Sequence, residues 1–207
     1  MECLYKLLND YEFKTILDVG AGAGRHADIF LNSGKHVTAI DYGGSDFLNK
    51  NSNINLEVIV GDYVNHAFNN QFDCIWCSHT LEHVLCPNVF LNKLFNDLRD
   101  GGILAITVPS EYHRVESGHL NVYSAGHLLY QLVRAGFDCS DASVKMYGYN
   151  LSVIIKKKRI EYGDVEVNHD WKIKNLSKCF PKSTKFLDVH NGFDYRFKAK
   201  IKELNWD

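Results

Sequence analysis

The sequence predicts an α/β protein built on a doubly wound, mostly parallel seven-stranded sheet. Two observations lead to this fold class. Apolar runs of strand length alternate with amphipathic runs of helix length, and strands that are joined by crossover helices form parallel sheets. The first strand also runs directly into three glycines, Gly20, Gly22 and Gly24, which is a turn chemistry found where such sheets bind ligands.

The elements follow one another in a regular order. An amphipathic helix is predicted over residues 2–13, because Leu4, Leu7 and Tyr11 recur at helical spacing. The later elements are, in chain order, strand Thr15–Val19, helix 25–33, strands His36–Asp41, 55–60 and Phe72–Ser78, helix 87–98, strand 103–108 and helix 124–135.

The alternation ends with a pair of strands, predicted near residues 137–146 and 149–156. Only residues 147–148 join them, which is too short for a parallel crossover, so an antiparallel hairpin is expected. Residues 157–207 do not continue the pattern. We therefore predict a domain at 1–156 and a basic C-terminal extension at 157–207 that packs on it.

Composition agrees with a domain of this kind. The 207 residues are 45% apolar and 23% charged, as in soluble globular proteins. No apolar run reaches the roughly 18 residues that a membrane span needs, and acids interrupt the apolar positions at the start, unlike in a signal peptide. Cys74 and Cys77 lie three apart on a strand and should face opposite sides of the sheet. Free thiols in the cytoplasm are expected.

Charge is distributed unevenly. From Lys156 to the end the chain holds 13 Lys and Arg against 8 Asp and Glu, a net of +5, so the first 155 residues hold 10 against 17, a net of −7. A basic tail on an acidic body could contact nucleic acid, a phosphorylated substrate or its own body. Docking on its own body is the simplest of the three.

The glycine loop and the acid that ends the second strand predict a pocket for a nucleotide-type cofactor. Alternate glycines let the backbone turn sharply and present bare N–H groups. Asp41 lies 21 residues after Gly20, where its carboxylate can accept hydrogen bonds from two ribose hydroxyls. The spacing G-x-G-x-G differs from the G-x-G-x-x-G of dinucleotide folds, and Arg25 stands where that fingerprint has glycine. A dehydrogenase is therefore disfavoured.

Residues 15–156 resemble the class I S-adenosylmethionine-dependent methyltransferases, in the branch that contains the ubiquinone-biosynthesis and surface-polysaccharide enzymes. DVGAGAG resembles their cofactor loop, AIDYG their acid-ended second strand, and GDY the loop after the third strand. Three later segments are similar in the same order: FDCIWCSHTLEHVLCP, LRDGGILAITVPS and HLNVYSAGHLLYQLVRAGF. The resemblance implies a Rossmann-like methyltransferase fold and S-adenosylmethionine as the cofactor.

The resemblance also implies roles for the residues of the loop. Backbone amides at Gly20, Gly22 and Gly24 would meet the carboxylate end of the cofactor. Asp18 would orient the loop and contact the cofactor's amino group. Asp41 would bind the ribose hydroxyls.

Further roles carried by the resemblance concern the two ends of the cofactor. Asp62 would bind the adenine amino group, and Tyr63 would donate its backbone N–H to the adenine ring. Ser78 and His79, directly after the fourth strand, would face the methionine portion.

Transfer to a hydroxyl requires a group that removes its proton, and histidine has a suitable pKa near neutrality. His119 is the first candidate and His113 the second, because both lie in the segment after the fifth strand, next to the expected pocket. The main interpretation includes no metal. An alternative is that His79, Glu82 and His83, spaced H-x-x-E-H, converge on an ion, with His119 or His113 as a further ligand.

The function that the resemblance favours is O-methylation of a small polar acceptor such as a sugar, nucleotide-sugar or polysaccharide unit, whose phosphate the basic tail could hold. A second interpretation is an RNA methyltransferase whose basic tail binds the phosphate backbone of the RNA. A non-catalytic partner subunit that binds cofactor is a third.

Overall fold

The computed structural model describes residues 1–43, 53–110, 116–158, 160, 177–182, 186–188, 195–197 and 201–206. In these ranges the helices are α1 (Glu2–Asp10), α2 (Arg25–Asn32), α3 (Pro87–Asp97) and α4 (Ala125–Arg134). The strands are β1 (Thr15–Val19), β2 (His36–Asp41), β3 (Leu56–Val60), β4 (Phe72–Ser78), β5 (Leu98–Pro109), β6 (Ser143–Tyr147), β7 (Asn150–Lys156), β8 (Phe186–Asp188), β9 (Tyr195–Phe197) and β10 (Glu203–Leu204).

The main sheet has the order β10-β6-β7-β5-β4-β1-β2-β3. Its neighbours from β3 to β5 are parallel, whereas β7 is antiparallel to both β5 and β6. The doubly wound, mostly parallel sheet and the final antiparallel hairpin are thus confirmed. An eighth, two-residue strand, β10, adds to the seven predicted ones at the edge of the sheet.

Helices cover both faces of the sheet. Successive side chains of a strand point to opposite faces, so each central strand packs against helices on both sides. Cys74 and Trp76 of β4 pack against α1 and α2. Ile75 and Cys77 pack on the other side, against α3 and α4. The prediction that Cys74 and Cys77 face opposite sides is confirmed.

Several element boundaries differ from the prediction, most of all in β5, which begins at Leu98 instead of residue 103, in the first helix and in β6. The first helix ends at Asp10 because Tyr11 is already extended, with φ −129°. No strand covers residues 137–142, and β6 begins only at Ser143. Phe137 and Cys139 are fully buried, so their apolar character reflects packing in a loop rather than a strand.

The described parts of the extension touch both faces of the sheet. Trp206 packs in the α1 side of the core, and its carbonyl accepts a hydrogen bond from Lys6 Nζ at 3.0 Å. Cys179 and Phe180 pack in the core of the opposite face. Much of residues 157–207 lies outside the described residues, and the domain boundary at 156 stays a prediction. None of the helices in the described ranges is long and apolar enough to cross a bilayer.

The strand order places the ligand site. Chain progression along the sheet reverses between β1 and β4, and open α/β sheets bind ligands in the crevice at that point, beyond the carboxyl ends of the strands.

Candidate cofactor and acceptor site

A cavity of about 590 Å³ lies at this crevice, a volume within the range of ligand sites. The predicted residues that line it are Gly20, Gly22, Asp41, Asp62, Tyr63 and His79. A second cavity of about 520 Å³ lies at the opposite ends of β1, β2 and β4, away from the crevice. The first cavity is therefore the candidate functional site.

The loop after β1 is held against β2 by its own backbone. The N–H of Gly20 donates to the carbonyl of Ile40 at 2.9 Å. Gly20 has φ +75°, and a Cβ there would lie 2.1 Å from Thr80 Oγ1. Thr80 in turn donates its hydroxyl to the carbonyl of Val19 at 3.0 Å. Glycine is thus required at position 20 by both backbone conformation and space.

Asp41 ties the loop to the end of β2. Its Oδ2 accepts a hydrogen bond from Gly22 N at 2.9 Å, and its Oδ1 accepts one from Gly43 N at 3.1 Å. An ionised carboxylate has about four acceptor positions, so capacity remains for the hydroxyls of a ribose. Tyr42, which the sequence reasoning missed, also lines the cavity and donates its hydroxyl to Asp62 Oδ1 at 2.9 Å.

Asp18 is a buried carboxyl group in β1, only 1% exposed. The backbone N–H of Ala27 donates to it, whereas Oδ2 has no hydrogen-bond partner among the described residues. Burial, followed by the charge of Asp41, raises the pKa of Asp18 to about 7. An orphaned carboxylate oxygen suits the ammonium group of an amino-acid ligand. Gly24, with φ +75°, precedes the first residue of α2.

Asp62 and Tyr63, which follow β3, form part of the cavity wall. Asp62 begins a short 3-10 helix, Tyr63–Asn65, and its Oδ1 accepts a hydrogen bond from Val64 N at 3.0 Å. The Tyr63 ring is buried, and its hydroxyl donates to Asp97 Oδ2 at 2.8 Å. Burial and the neighbouring Asp97 raise the pKa of Tyr63.

His79 has an unusual backbone, with φ +56°, which non-glycine residues adopt rarely and chiefly at functional sites. Its Nε2 lies 2.8 Å from Asn150 Oδ1, and its Nδ1 lies 3.3 Å from Glu82 Oε1. The bond to Glu82 raises the pKa of His79, while burial opposes it. Ser78, the last residue of β4, is not part of the cavity wall.

Three side chains converge beside His79: Glu82, His83 and His119. One ligand atom from each lies within 4.8 Å of the others, and the two imidazole rings are 4.9 Å apart. These three belong to the alternative set that the H-x-x-E-H spacing suggested, in which His119 was a further ligand. His79, the fourth member, turns its Nε2 to Asn150. His113 lies outside the described residues.

Exposed apolar side chains surround the mouth of the cavity. Leu85, which is 86% exposed, and Val89 line it. Leu120 and Val122 are also exposed, and their segment adjoins the mouth because Leu120 N donates to the carbonyl of Glu82 at 2.8 Å. No sequence signal marked these four residues, since exposure depends on the fold.

Sequence comparison identifies relatives for part of the chain. Residues 17–106 match the family model of a methyltransferase domain. The chain is 29% identical over 96 residues to a ubiquinone biosynthesis O-methyltransferase of Pseudomonas fluorescens strain Pf0-1, covering 43% of this chain and 41% of the relative. A mitochondrial ubiquinone biosynthesis O-methyltransferase of Schizosaccharomyces pombe is 28% identical over 115 residues, covering 52% and 42%. The chain thus spans less than half the length of these relatives.

Structure comparison agrees on the fold. The 1,6-didemethyltoxoflavin-N1-methyltransferase of Burkholderia thailandensis, solved with bound S-adenosylhomocysteine, has a TM-score of 0.66 at 19% identity and covers 76% of each chain. The N-methyltransferase NodS of Bradyrhizobium japonicum, also with S-adenosylhomocysteine, has a TM-score of 0.63 at 16% identity, covering 75% of this chain and 84% of its own.

Proposed function

We propose that this chain, a member of the class I S-adenosylmethionine-dependent methyltransferases, transfers a methyl group to a hydroxyl oxygen of a small acceptor. The observation that carries the proposal is the cavity itself. It combines a glycine loop, the Asp41 carboxylate and the mouth next to His119 at one crevice. Its relatives act in ubiquinone biosynthesis as O-methyltransferases, which favours oxygen over nitrogen as the methyl acceptor.

The residues of the loop hold and orient the cofactor in this proposal. Asp41 binds the ribose hydroxyls, Asp62 and the backbone of Tyr63 bind the adenine, and Asp18 pairs with the amino group of the methionine portion. The orphaned Oδ2 of Asp18 supports the last assignment, because a buried charge without a partner is unfavourable. These contacts fix the sulfonium end toward His79.

S-Adenosylmethionine supplies a methyl carbon that is already activated by positive sulfur. In the transfer, a lone pair of the acceptor oxygen forms the new O–C bond, while the C–S bond breaks with both electrons left on sulfur. The chain contributes alignment, which is worth several kcal/mol in such reactions, and a group that takes the hydroxyl proton. We assign the proton acceptor to the His119 imidazole, whose ring nitrogens have no hydrogen bond within the described part of the chain.

The acceptor is proposed to carry an apolar portion next to its hydroxyl. Leu85, Val89, Leu120 and Val122 expose their side chains around the mouth, and apolar surface of this kind favours ligands that cover it. That the acceptor is a sugar, nucleotide-sugar or polysaccharide unit, as the family resemblance suggested, stays a prediction. The basic tail could hold a phosphate of such an acceptor.

The test is an acceptor screen that detects release of S-adenosylhomocysteine. We expect turnover with hydroxylated aromatic or alkyl-substituted compounds, and none with Asp41→Ala enzyme. Turnover confined to nucleotide-sugars would overturn the apolar acceptor class but leave the methyltransferase proposal intact. Transfer only to amines would overturn O-methylation.

The role of His119 has its own test. His119→Ala should lower kcat by roughly 100-fold or more, as expected for loss of a general base, with little change in affinity for S-adenosylhomocysteine. His36→Ala is the matched control, since His36 is an exposed histidine at the start of β2. Full turnover in the His119 variant would remove it from the reaction.

A further inference from the structure

We propose that Cys139 and Cys179 are a site of disulfide formation, which a small disulfide of the glutathione class oxidises, and that this bond ties the C-terminal extension to the domain. Both residues are free thiols in this structure. Neither of them lines the cofactor cavity, so the inference stands apart from the proposed function.

The first argument is the distance between the two backbones. Cys139 N donates a hydrogen bond to the carbonyl oxygen of Cys179 at 2.9 Å. With standard backbone bond lengths, a hydrogen bond of this length places the two Cα atoms about 5–6 Å apart. Disulfides join Cα atoms that are about 4.4–6.8 Å apart. The two cysteines can therefore be joined without a large movement of either segment.

The second argument is the position of the two side chains. Cys139 is fully buried and Cys179 is 3% exposed, and both pack in the core cluster on the α3 and α4 side of the sheet. Burial, followed by the charges of Asp138 and of a Cys179 thiolate, raises the pKa of Cys139. Because a charge effect weakens with distance, the last contribution indicates that the two sulfur atoms are neighbours. Rotation about the Cα–Cβ bonds can bring them to bonding distance.

The third argument is the way in which the segment of Cys179 is held. The Phe180 ring is buried and stacks on Tyr130 of α4, with ring centroids 6.5 Å apart and planes 11° apart. Lys178 and Lys182, on either side, are exposed. The segment thus lies at the surface with Cys179 and Phe180 turned inward, and its local opening exposes the Cys179 thiol while the sheet stays folded.

A second buried pair shows what distinguishes this one. Cys3 and Cys74 also share a core cluster, on the opposite face of the sheet. Cys3, however, donates its N–H to Tyr147 Oη at 3.2 Å, and its backbone is not joined to that of Cys74 by any hydrogen bond between described residues. The backbone contact therefore selects Cys139 and Cys179.

The reaction is thiol–disulfide exchange in two steps. The Cys179 thiolate attacks one sulfur of the small disulfide, forms a mixed disulfide and releases a small thiolate, which takes up a proton. The Cys139 thiolate then attacks the Cys179 sulfur, the protein disulfide forms, and the second small thiolate leaves and is protonated. Two protein thiols are oxidised, and one small disulfide is reduced to two thiols.

The experiment is oxidation of the folded full chain with glutathione disulfide, followed by alkylation of the remaining thiols and digestion with trypsin without reductant. We expect mass spectrometry to find peptides 135–145 and 179–182 joined by a disulfide. The melting temperature should rise by roughly 5–10 °C, because the bond constrains the unfolded chain, and dithiothreitol should reverse the rise.

The matched variants are Cys139→Ser and Cys3→Ser, which replace two equally buried thiols. Cys139→Ser should lose both the linked peptides and the rise in melting temperature, whereas Cys3→Ser should keep both. The mapping of the parent protein needs no variant and decides the proposal even where a serine variant does not fold.

Three results would overturn the inference. One is the absence of linked peptides in folded protein whose exposed Cys86 thiol has been fully modified by glutathione. Another is a disulfide that joins Cys3 to Cys74 with the same yield, because the backbone contact would then have no selective effect. The third is a linked pair without any rise in melting temperature, since the bond would not tie the extension to the domain.

Discussion

Replacing Gly20 with alanine tests whether the loop is shaped by its contact with Thr80. The new Cβ would lie 2.1 Å from Thr80 Oγ1, 2.8 Å from Cγ2 and 3.0 Å from Cβ. Thr80 must therefore move and lose its hydrogen bond to the Val19 carbonyl, at about 1 kcal/mol. Alanine in the left-handed region adds about 1–2 kcal/mol. The total loss in free energy of unfolding is about 2–3 kcal/mol.

Gly22→Ala is the matched control. Gly22 also has positive φ, at +52°, but a Cβ there would meet nothing within 4 Å. Only the conformational penalty of about 1–2 kcal/mol then applies. Urea unfolding followed by circular dichroism measures the free energy of unfolding of both variants. Combining Thr80→Ala with Gly20→Ala should remove most of the additional loss of stability at position 20. Equal destabilisation by the two glycine variants would refute the contact argument.

Three further predictions concern carboxylates. Asp41→Ala should weaken S-adenosylhomocysteine binding at least roughly 100-fold, because hydrogen bonds to a charged acceptor are worth about 1.5–3 kcal/mol each. Calorimetry measures the affinity, and an unchanged value would refute the assignment of Asp41 to the ribose. Binding of the same ligand should strengthen as pH rises through about 7, where Asp18 ionises, and Asp18→Asn should lack this dependence. Asp73 accepts hydrogen bonds from Thr15 N, Lys14 N and Arg99. Burial raises the pKa of this carboxyl group, but the hydrogen bonds outweigh that effect and lower the pKa to about 2. Since the carboxyl is more acidic in the folded than in the unfolded chain, its stabilisation of about 2 kcal/mol is present above pH about 4 and lost as pH falls toward about 2. Asp73→Asn should lose that stability in urea unfolding at neutral pH, and an unchanged midpoint would contradict the assignment.

Local sequence signals predicted β1, β2 and β4 to the residue, whereas β5 begins five residues before its predicted start. The first three strands are mostly apolar runs bounded by glycine or polar residues, and such runs mark strands that are buried on both faces. The same reasoning failed at residues 137–142, where burial in a loop gives Phe137 and Cys139 the same apolar character as a strand.

The cofactor side of the cavity was also accessible from sequence, because its residues follow strands that a parallel sheet aligns at one edge. The acceptor side was accessible only in part: His119 was predicted beside the pocket, but the contacts that hold it there were not. His119 meets Glu82 only because the segment after it bonds to the Glu82 carbonyl, and His79 turns to Asn150, 71 residues away. Contacts of such sequence separation depend on tertiary packing, which residue spacing does not encode.

A crystal structure of the full chain with S-adenosylhomocysteine tests the central claim most directly. The account predicts the ligand in the crevice after β1, with both ribose hydroxyls within hydrogen-bond distance of Asp41 and the amino group next to Asp18. Density for the ligand elsewhere on the chain, or a ribose that makes no contact with Asp41, would contradict it.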